Sequence, residues 1–122
     1  MVHGDLKPSN ILLKERGKTG IKLIDFGGAR SAEFGIDRTI TTIGYTAPEV
    51  LLNLGSCGAT DMWSFGCVLF ELKYGRHLFS GRTEREELAS FMEVLGPVPR
   101  TMVDASPIKE SYFDSEKDFQ PR

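Results

Sequence analysis

The stretch Val2-His3-Gly4-Asp5-Leu6-Lys7-Pro8-Ser9-Asn10-Ile11-Leu12-Leu13 decides how the rest of the chain is read. It sets an acid (Asp5), an amine (Lys7) and an amide (Asn10) on a short polar loop flanked by apolar residues, and Pro8 stiffens that loop. Further on comes Ile24-Asp25-Phe26-Gly27, a second acid at the end of an apolar run. Two acids and an Asn on loops beside short strands outline a site for a divalent metal and phosphate. Mg²⁺ favours one or two carboxylate or amide oxygens, completed by phosphate oxygens and water. Phosphoryl transfer needs an acid to orient the attacking hydroxyl and a metal to neutralise the phosphates.

The chain has 122 residues, a formal net charge of −2 and a pI of about 5.7, enough for one small domain by length. There is no strong basic patch to bind nucleic acid and no apolar run long enough to span a bilayer. Met1 is followed directly by the loop, with no signal-peptide pattern. Cys57 and Cys67 have no metal-type spacing. They read as reduced thiols of an intracellular protein, cytoplasmic or nuclear, with Cys67 in the core.

Working outward, Ile11–Leu13 and Ile21–Ile24 flank a polar turn with two glycines and read as a β-hairpin. Residues 28–46 carry little periodicity and read as a long functional loop. Pro48 to Leu54 is expected to be a short helix stopped by Gly55. Thr60 to Tyr74 is apolar on nearly every face and is expected to be a buried helix, capped by Thr60 or Asp61. Full burial of its apolar side chains, at ~1.5–3 kcal/mol each, would rival a domain's usual net stability of ~5–15 kcal/mol. Leu78 and Phe79 should tuck under the next helix, which opens on the capping-box pattern Thr83-Glu-Arg-Glu86. There Leu88, Phe91, Met92 and Leu95 share one face. Gly96-Pro97 ends it, and the remaining residues are polar with scattered Tyr112, Phe113 and Phe119. The fold class is mainly α (α+β).

Three motifs in order carry a resemblance over nearly the whole chain. His3-Gly4-Asp5-Leu6-Lys7-Pro8-Ser9-Asn10 resembles the catalytic loop of eukaryotic-type protein kinases, Asp25-Phe26-Gly27 their metal-binding triplet, and Ala47-Pro48-Glu49 the close of their activation segment. Thr42-Ile-Gly-Tyr45-Thr-Ala-Pro-Glu49 is similar to the substrate-binding loop of the serine/threonine type, and Asp61-x-Trp63-Ser64-x-Gly66 to the central helix of the large lobe. The run from Leu78 to Pro99 resembles the CMGC group, in its dual-specificity tyrosine-regulated and Clk-like branch. The resemblance implies a partial kinase domain over 1–122. It comprises the C-terminal lobe from catalytic loop and hairpin through activation segment and buried central helix to the start of the CMGC insert, with the small lobe and the last large-lobe helices outside it. It implies that Asp5 orients or deprotonates the substrate hydroxyl, Lys7 stabilises the γ-phosphate, Thr42 bonds both, and Asn10 and Asp25 hold Mg²⁺. It also implies that Asp61 reaches back to the catalytic-loop backbone. The implied partners are ATP and a protein substrate phosphorylated on Ser or Thr, with no nucleic acid and no membrane; oligomeric state is not set by the sequence.

Some positions depart from that pattern. Gly4 stands where an Arg usually grips a phosphate on the activation segment, so the resemblance does not carry that mode of regulation here. Ile43 and Thr46 stand where CMGC kinases usually carry Arg, and no Tyr-x-Tyr pair precedes them. No Gly-rich nucleotide loop is present, so the isolated 122-residue stretch is expected to bind ATP poorly and turn over little. Two other readings compete. One is a non-catalytic kinase-like interaction module or truncated gene product, which would have no need of Asp5, Lys7, Asn10 and Asp25 together. The other is a small-molecule phosphotransferase of the His-Gly-Asp type, against which stand Lys7-Pro8, Thr42–Glu49 and the Asp61–Gly66 segment.

Overall fold

A computed structural model describes residues 1–31 and 42–113. The middle of the expected activation segment, with Thr39 and Thr41, and the last residues, with Phe119, lie outside the described residues. Strand β1 (Ile11–Leu13) pairs antiparallel with β2 (Ile21–Leu23), Ile11 opposite Leu23 and Leu13 opposite Ile21. The hairpin is as expected except that β2 stops one residue early. Ile24 nonetheless donates its N–H to the Asn10 carbonyl at 3.0 Å, which carries the end of β2 back to the polar loop.

Helix α1 (Pro48–Leu51) is shorter than expected. Pro48 fits the first turn because its missing N–H would have no partner there. Asn53 then takes φ +57°, and the Leu54 N–H folds back to the Glu49 carbonyl at 2.8 Å. Helix α2 (Gly58–Tyr74) starts before the expected cap, with Cys57 at the N-cap position. Thr60 lies inside the helix. Its hydroxyl accepts the Cys57 N–H at 3.0 Å and donates to Glu49 at 2.9 Å. Gly75, at φ +69°, ends the helix in the left-handed turn that glycine adopts freely.

The expectation that α2 is buried all round is wrong. Its buried residues are Thr60, Ser64, Cys67 and Val68. On the other side Met62 is 65% exposed, Leu69 51% and Leu72 70%, with Phe65 also exposed. Apolar residues on both faces tell how much apolar surface a helix has, whereas burial depends on what packs against it. The described residues cover one face.

Helix α3 (Glu84–Leu95) begins as its sequence dictates, with the Thr83 hydroxyl accepting the Glu86 N–H at 3.2 Å. The return bond of the box is shifted: the Glu86 carboxylate takes the N–H of Arg82 at 2.8 Å, one residue before the cap. Leu88 and Phe91 are buried and Met92 packs against them. Leu95, expected on that face, is exposed in the last turn, where Gly96 leads the chain away.

After Gly96 the chain is more ordered than its polarity suggested. Helix α4 (Arg100–Ala105) and a 3₁₀ turn (Lys109–Ser111) bring Val98, Val103, Tyr112 and Phe113 into the core. The buried Ser106 hydroxyl donates to the Leu52 carbonyl at 2.7 Å, and the Tyr112 hydroxyl donates to Glu84 at 2.8 Å. The aromatic centre is Trp63, stacked on Phe79 at 5.3 Å and meeting Phe91 edge-on at 4.9 Å. Among the described residues no helix is long and apolar enough to cross a membrane.

Candidate active site

The polar loop is held from below by α2. The Asp61 carboxylate accepts the His3 N–H at 2.7 Å and the Gly4 N–H at 2.9 Å, one on each oxygen. His3 and Gly4 are buried, so these N–H groups need such partners. Gly4 takes φ +82°, a left-handed conformation that costs glycine nothing and would strain the Arg usual at this point of the motif. His3 fixes the other side. Its Nε2 faces the Ile24 carbonyl at 3.0 Å and its Nδ1 faces the Asp5 N–H at 3.2 Å. A carbonyl can only accept and an N–H can only donate, so the proton sits on Nε2. Phe26 packs at 4.9 Å from the His3 ring, and Val2 and Arg30 exchange backbone hydrogen bonds at 2.8 and 2.9 Å.

On this support Asp5, Lys7 and Thr42 form a closed triangle. Lys7 Nζ lies 2.8 Å from Asp5 Oδ2, and it donates to Thr42 Oγ1 at 2.9 Å. The Thr42 hydroxyl donates to Asp5 Oδ1 at 2.7 Å. Partial burial raises the Asp5 pKa, but the hydrogen bonds of Lys7 and Thr42 outweigh it, and the net shift is below the ordinary value of 3.8. Asp5 is therefore ionised at neutral pH and acceptor-only. It is a weak base toward a free hydroxyl and a strong orienting group for one, suited to receive the proton as attack makes the hydroxyl acidic.

Asn10 is buried, and its Nδ2 donates to the Asp5 carbonyl at 2.8 Å, with the Asp5 carboxylate at 3.4 Å. Tying the amide nitrogen this way leaves the amide oxygen as the atom suited to a metal ion. Asp25 is exposed and sits at φ +63°, turning the chain from β2 into the 3₁₀ turn Phe26–Gly28. One amide oxygen and one carboxylate are hard donors of the kind Mg²⁺ takes in small number when phosphate oxygens and water complete the shell. The donor set fits that ion. Among the described residues no cluster of three or more His, Cys, Asp or Glu side chains competes as a protein-only metal site.

Beyond Thr42 the chain makes a tight turn, closed by the Tyr45 N–H to the Thr42 carbonyl at 3.1 Å and by the Thr46 hydroxyl to the same carbonyl at 3.0 Å. Tyr45 donates its hydroxyl to Glu71 of α2, with the His77 ring edge-on at 5.5 Å. Burial first, and then the Glu71 carboxylate, push the Tyr45 phenol well up, so it stays a donor. Ser64 anchors the Tyr45 carbonyl at 2.7 Å. Glu87 of α3, fully buried, accepts the Gly44 N–H at 2.8 Å and the Gly81 N–H at 3.0 Å.

Thus hydrogen bonds bring Asp5, Lys7, Asn10 and Thr42 together, and Asp25 follows Ile24, whose N–H bonds the Asn10 carbonyl. Sequence reasoning missed Glu71 and Glu87. A signal existed for Glu87: four residues before Phe91 it falls on the core-facing stripe of α3, and a carboxylate on an apolar stripe asks what neutralises it.

Comparison with known proteins follows the same line. A model of the protein kinase domain matches residues 1–119. Dual specificity tyrosine-phosphorylation-regulated kinase 2 of Drosophila melanogaster is 46% identical over 115 residues, 94% of this chain and 16% of that protein. Probable serine/threonine-protein kinase dyrk2 of Dictyostelium discoideum is 43% identical over 121 residues, 99% of this chain and 13% of that protein. Dual specificity tyrosine-phosphorylation-regulated kinase 4 of Homo sapiens is 40% identical over 116 residues, 95% of this chain and 22% of that protein.

Proposed function

Because the chain belongs to the protein kinase domain family, we propose that it is part of the catalytic domain of a serine/threonine protein kinase of the dual-specificity tyrosine-regulated branch of the CMGC group. The enzyme transfers the γ-phosphate of ATP to Ser or Thr hydroxyls of a protein substrate. It works inside the cell, in cytoplasm or nucleus. The chain spans 13 to 22% of the length of the relatives named above, and residues 1–122 are read as the large-lobe part of the domain.

The observation that carries this reading is the closed triangle of Asp5, Lys7 and Thr42. A general acid–base site would be served by Asp5 alone. A phosphoryl-transfer site needs the acid for the hydroxyl and a cation beside it for the phosphate. In this reading Asp5 orients the incoming hydroxyl and takes its proton. Lys7, freed in part from Asp5 as that proton arrives, stabilises the charge on the transferred phosphoryl group. Thr42 holds both groups in register and makes their arrangement depend on the turn that would face a peptide. Asn10 and Asp25 would hold Mg²⁺, which supplies neutralisation of the ATP phosphates.

The test separates binding from chemistry in the full-length protein. Asp25→Ala should lose Mg²⁺-dependent ATP binding, and Asp5→Asn should keep it while losing turnover. Undiminished Mg·ATP affinity in folded Asp25→Ala would contradict the role given to Asp25. Full turnover in Asp5→Asn would contradict the reaction.

A further inference from the structure

We propose that Glu87 is a positioning residue for the reaction: its buried carboxylate ties the turn that carries Thr42 to the start of α3 and so holds Thr42 on Asp5 and Lys7. The proposal rests on the kinase reading for its kinetic consequence, and on geometry alone for its structural one.

Burying a carboxylate is costly unless hydrogen bonds replace its water. An apolar side chain of similar size often packs as well or better at such a place. Glu87 is fully buried, on the same helical stripe as Phe91 and next to the buried Leu88. Its two oxygens are used on two different segments. Oε1 accepts the N–H of Gly44, and Oε2 accepts the N–H of Gly81.

Both positions favour glycine, Gly44 for its backbone conformation and Gly81 for the approach of Glu87. Gly44 has φ +96°, and a Cβ there would also meet the His77 ring at 3.4 Å. A Cβ on Gly81 would fall 2.2 Å from the Glu87 backbone nitrogen, so only glycine allows the approach. From Gly44 the tie is short. The next residue, Tyr45, closes the turn on the Thr42 carbonyl at 3.1 Å, and the Thr42 hydroxyl reaches Asp5 at 2.7 Å. A helix-capping role alone would not need an oxygen on Gly44.

The test uses Glu87→Gln in the full-length protein, which keeps the shape but sets an NH₂ group against one of the two N–H donors. Two readouts are taken. The first is amide hydrogen exchange at Gly44. If Glu87 holds the turn, the Gly44 amide is protected in the wild type and exchanges faster in Glu87→Gln; unchanged exchange at Gly44 in folded Glu87→Gln overturns the proposal. The second is peptide phosphorylation. A buried hydrogen bond to a charged group is commonly worth about tenfold or more, so the peptide KM should rise about tenfold with the ATP KM unchanged. A role in stability alone would lower the active fraction and leave both KM values in place, which also overturns the proposal.

The two failures are distinguishable. A wild-type protein that phosphorylates no peptide sinks the kinase reading, while exchange at the Gly44 amide still decides the tie made by Glu87. Should Glu87→Gln not fold, hydrogen exchange in the wild type decides it. The Gly44 amide should be protected like the buried amides of α3, and exchange at the rate of an open loop would overturn the tie.

Discussion

Replacing Asp61 by Asn changes one atom and should loosen the whole site from below. In the wild type one carboxylate oxygen takes the His3 N–H at 2.7 Å and the other the Gly4 N–H at 2.9 Å. Hydrogen bonds to a charged acceptor contribute roughly 1.5–3 kcal/mol each, and a buried N–H left without a partner costs about 1–3 kcal/mol. Asn keeps one acceptor and turns an NH₂ group toward the other N–H. The two effects overlap, so Asp61→Asn should cost about 2–4 kcal/mol, and Asp61→Ala, which leaves two buried N–H groups without acceptors, about 2–6 kcal/mol. Against a net stability of ~5–15 kcal/mol that is a large share. The assay is urea unfolding of the full-length protein and both variants, read as a shift of midpoint at constant slope. Because the loop from His3 to Asn10 carries Asp5, turnover per folded molecule should fall as well. If Asp61→Asn unfolds within about 0.5 kcal/mol of the wild type, the size of an ordinary surface substitution, α2 does not support the loop in the way described.

Three further outcomes follow from the same contacts. Val replacing Thr42 removes the hydroxyl from Asp5 and Lys7, so the Asp5 pKa should rise toward its ordinary 3.8. A depressed carboxylate pKa gives stability that is present above the unfolded value and lost as pH falls through the folded one. The gap in stability between wild type and Thr42→Val should therefore narrow below about pH 4, and acid titration of unfolding would show it. Burial, followed by the nearby Glu87 charge, pushes the Cys67 thiol up to about 12, whereas Cys57 is exposed. A thiol reagent at pH 8 should modify Cys57 quickly and Cys67 only after unfolding; equal rates would contradict the burial of α2's inner face. In the 122-residue chain, Leu88→Ala should cost about 2–5 kcal/mol and Leu72→Ala under about 0.5 kcal/mol, since Leu88 is buried and Leu72 exposed. Similar losses at both positions, measured by denaturant unfolding, would refute the one-sided packing of α2.

The parts of this molecule legible in its sequence are those fixed by local chemistry. The hairpin was readable because two short apolar runs flank a turn with two glycines. The start of α3 was readable because Thr83 can accept a backbone N–H of its own first turn. The closeness of Asp5, Lys7 and Thr42 was legible through the resemblance of the motifs that hold them, and the structure puts the three within hydrogen-bond reach. Long-range packing was not. The exposure of Met62, Leu69 and Leu72 depends on which elements lie beside α2, a fact that no periodicity within α2 contains. Tyr112 and Phe113 looked like isolated aromatics in a polar stretch until α4 and the Ser106–Leu52 bond turned them inward. Thr60 was read as a cap, the commonest use of its side chain at a helix start, and the structure gives it longer-range work on Glu49. Asp61 was read both as a cap and, through the resemblance, as reaching back to the loop; its carboxylate takes the His3 and Gly4 N–H groups. Glu87 was hidden in a run of acidic residues at 84, 86 and 87, where only its register with Phe91 sets it apart.

Phosphoryl transfer itself is measured by following γ-³²P from Mg·ATP to a protein substrate with the full-length protein, with phosphoamino-acid analysis of the product. Label is expected on Ser or Thr of the substrate, reduced by about 10²–10⁴-fold in Asp5→Asn. Label that persists at the wild-type rate in folded Asp5→Asn, or no transfer by a folded wild-type protein that binds Mg·ATP, would contradict phosphoryl transfer through Asp5.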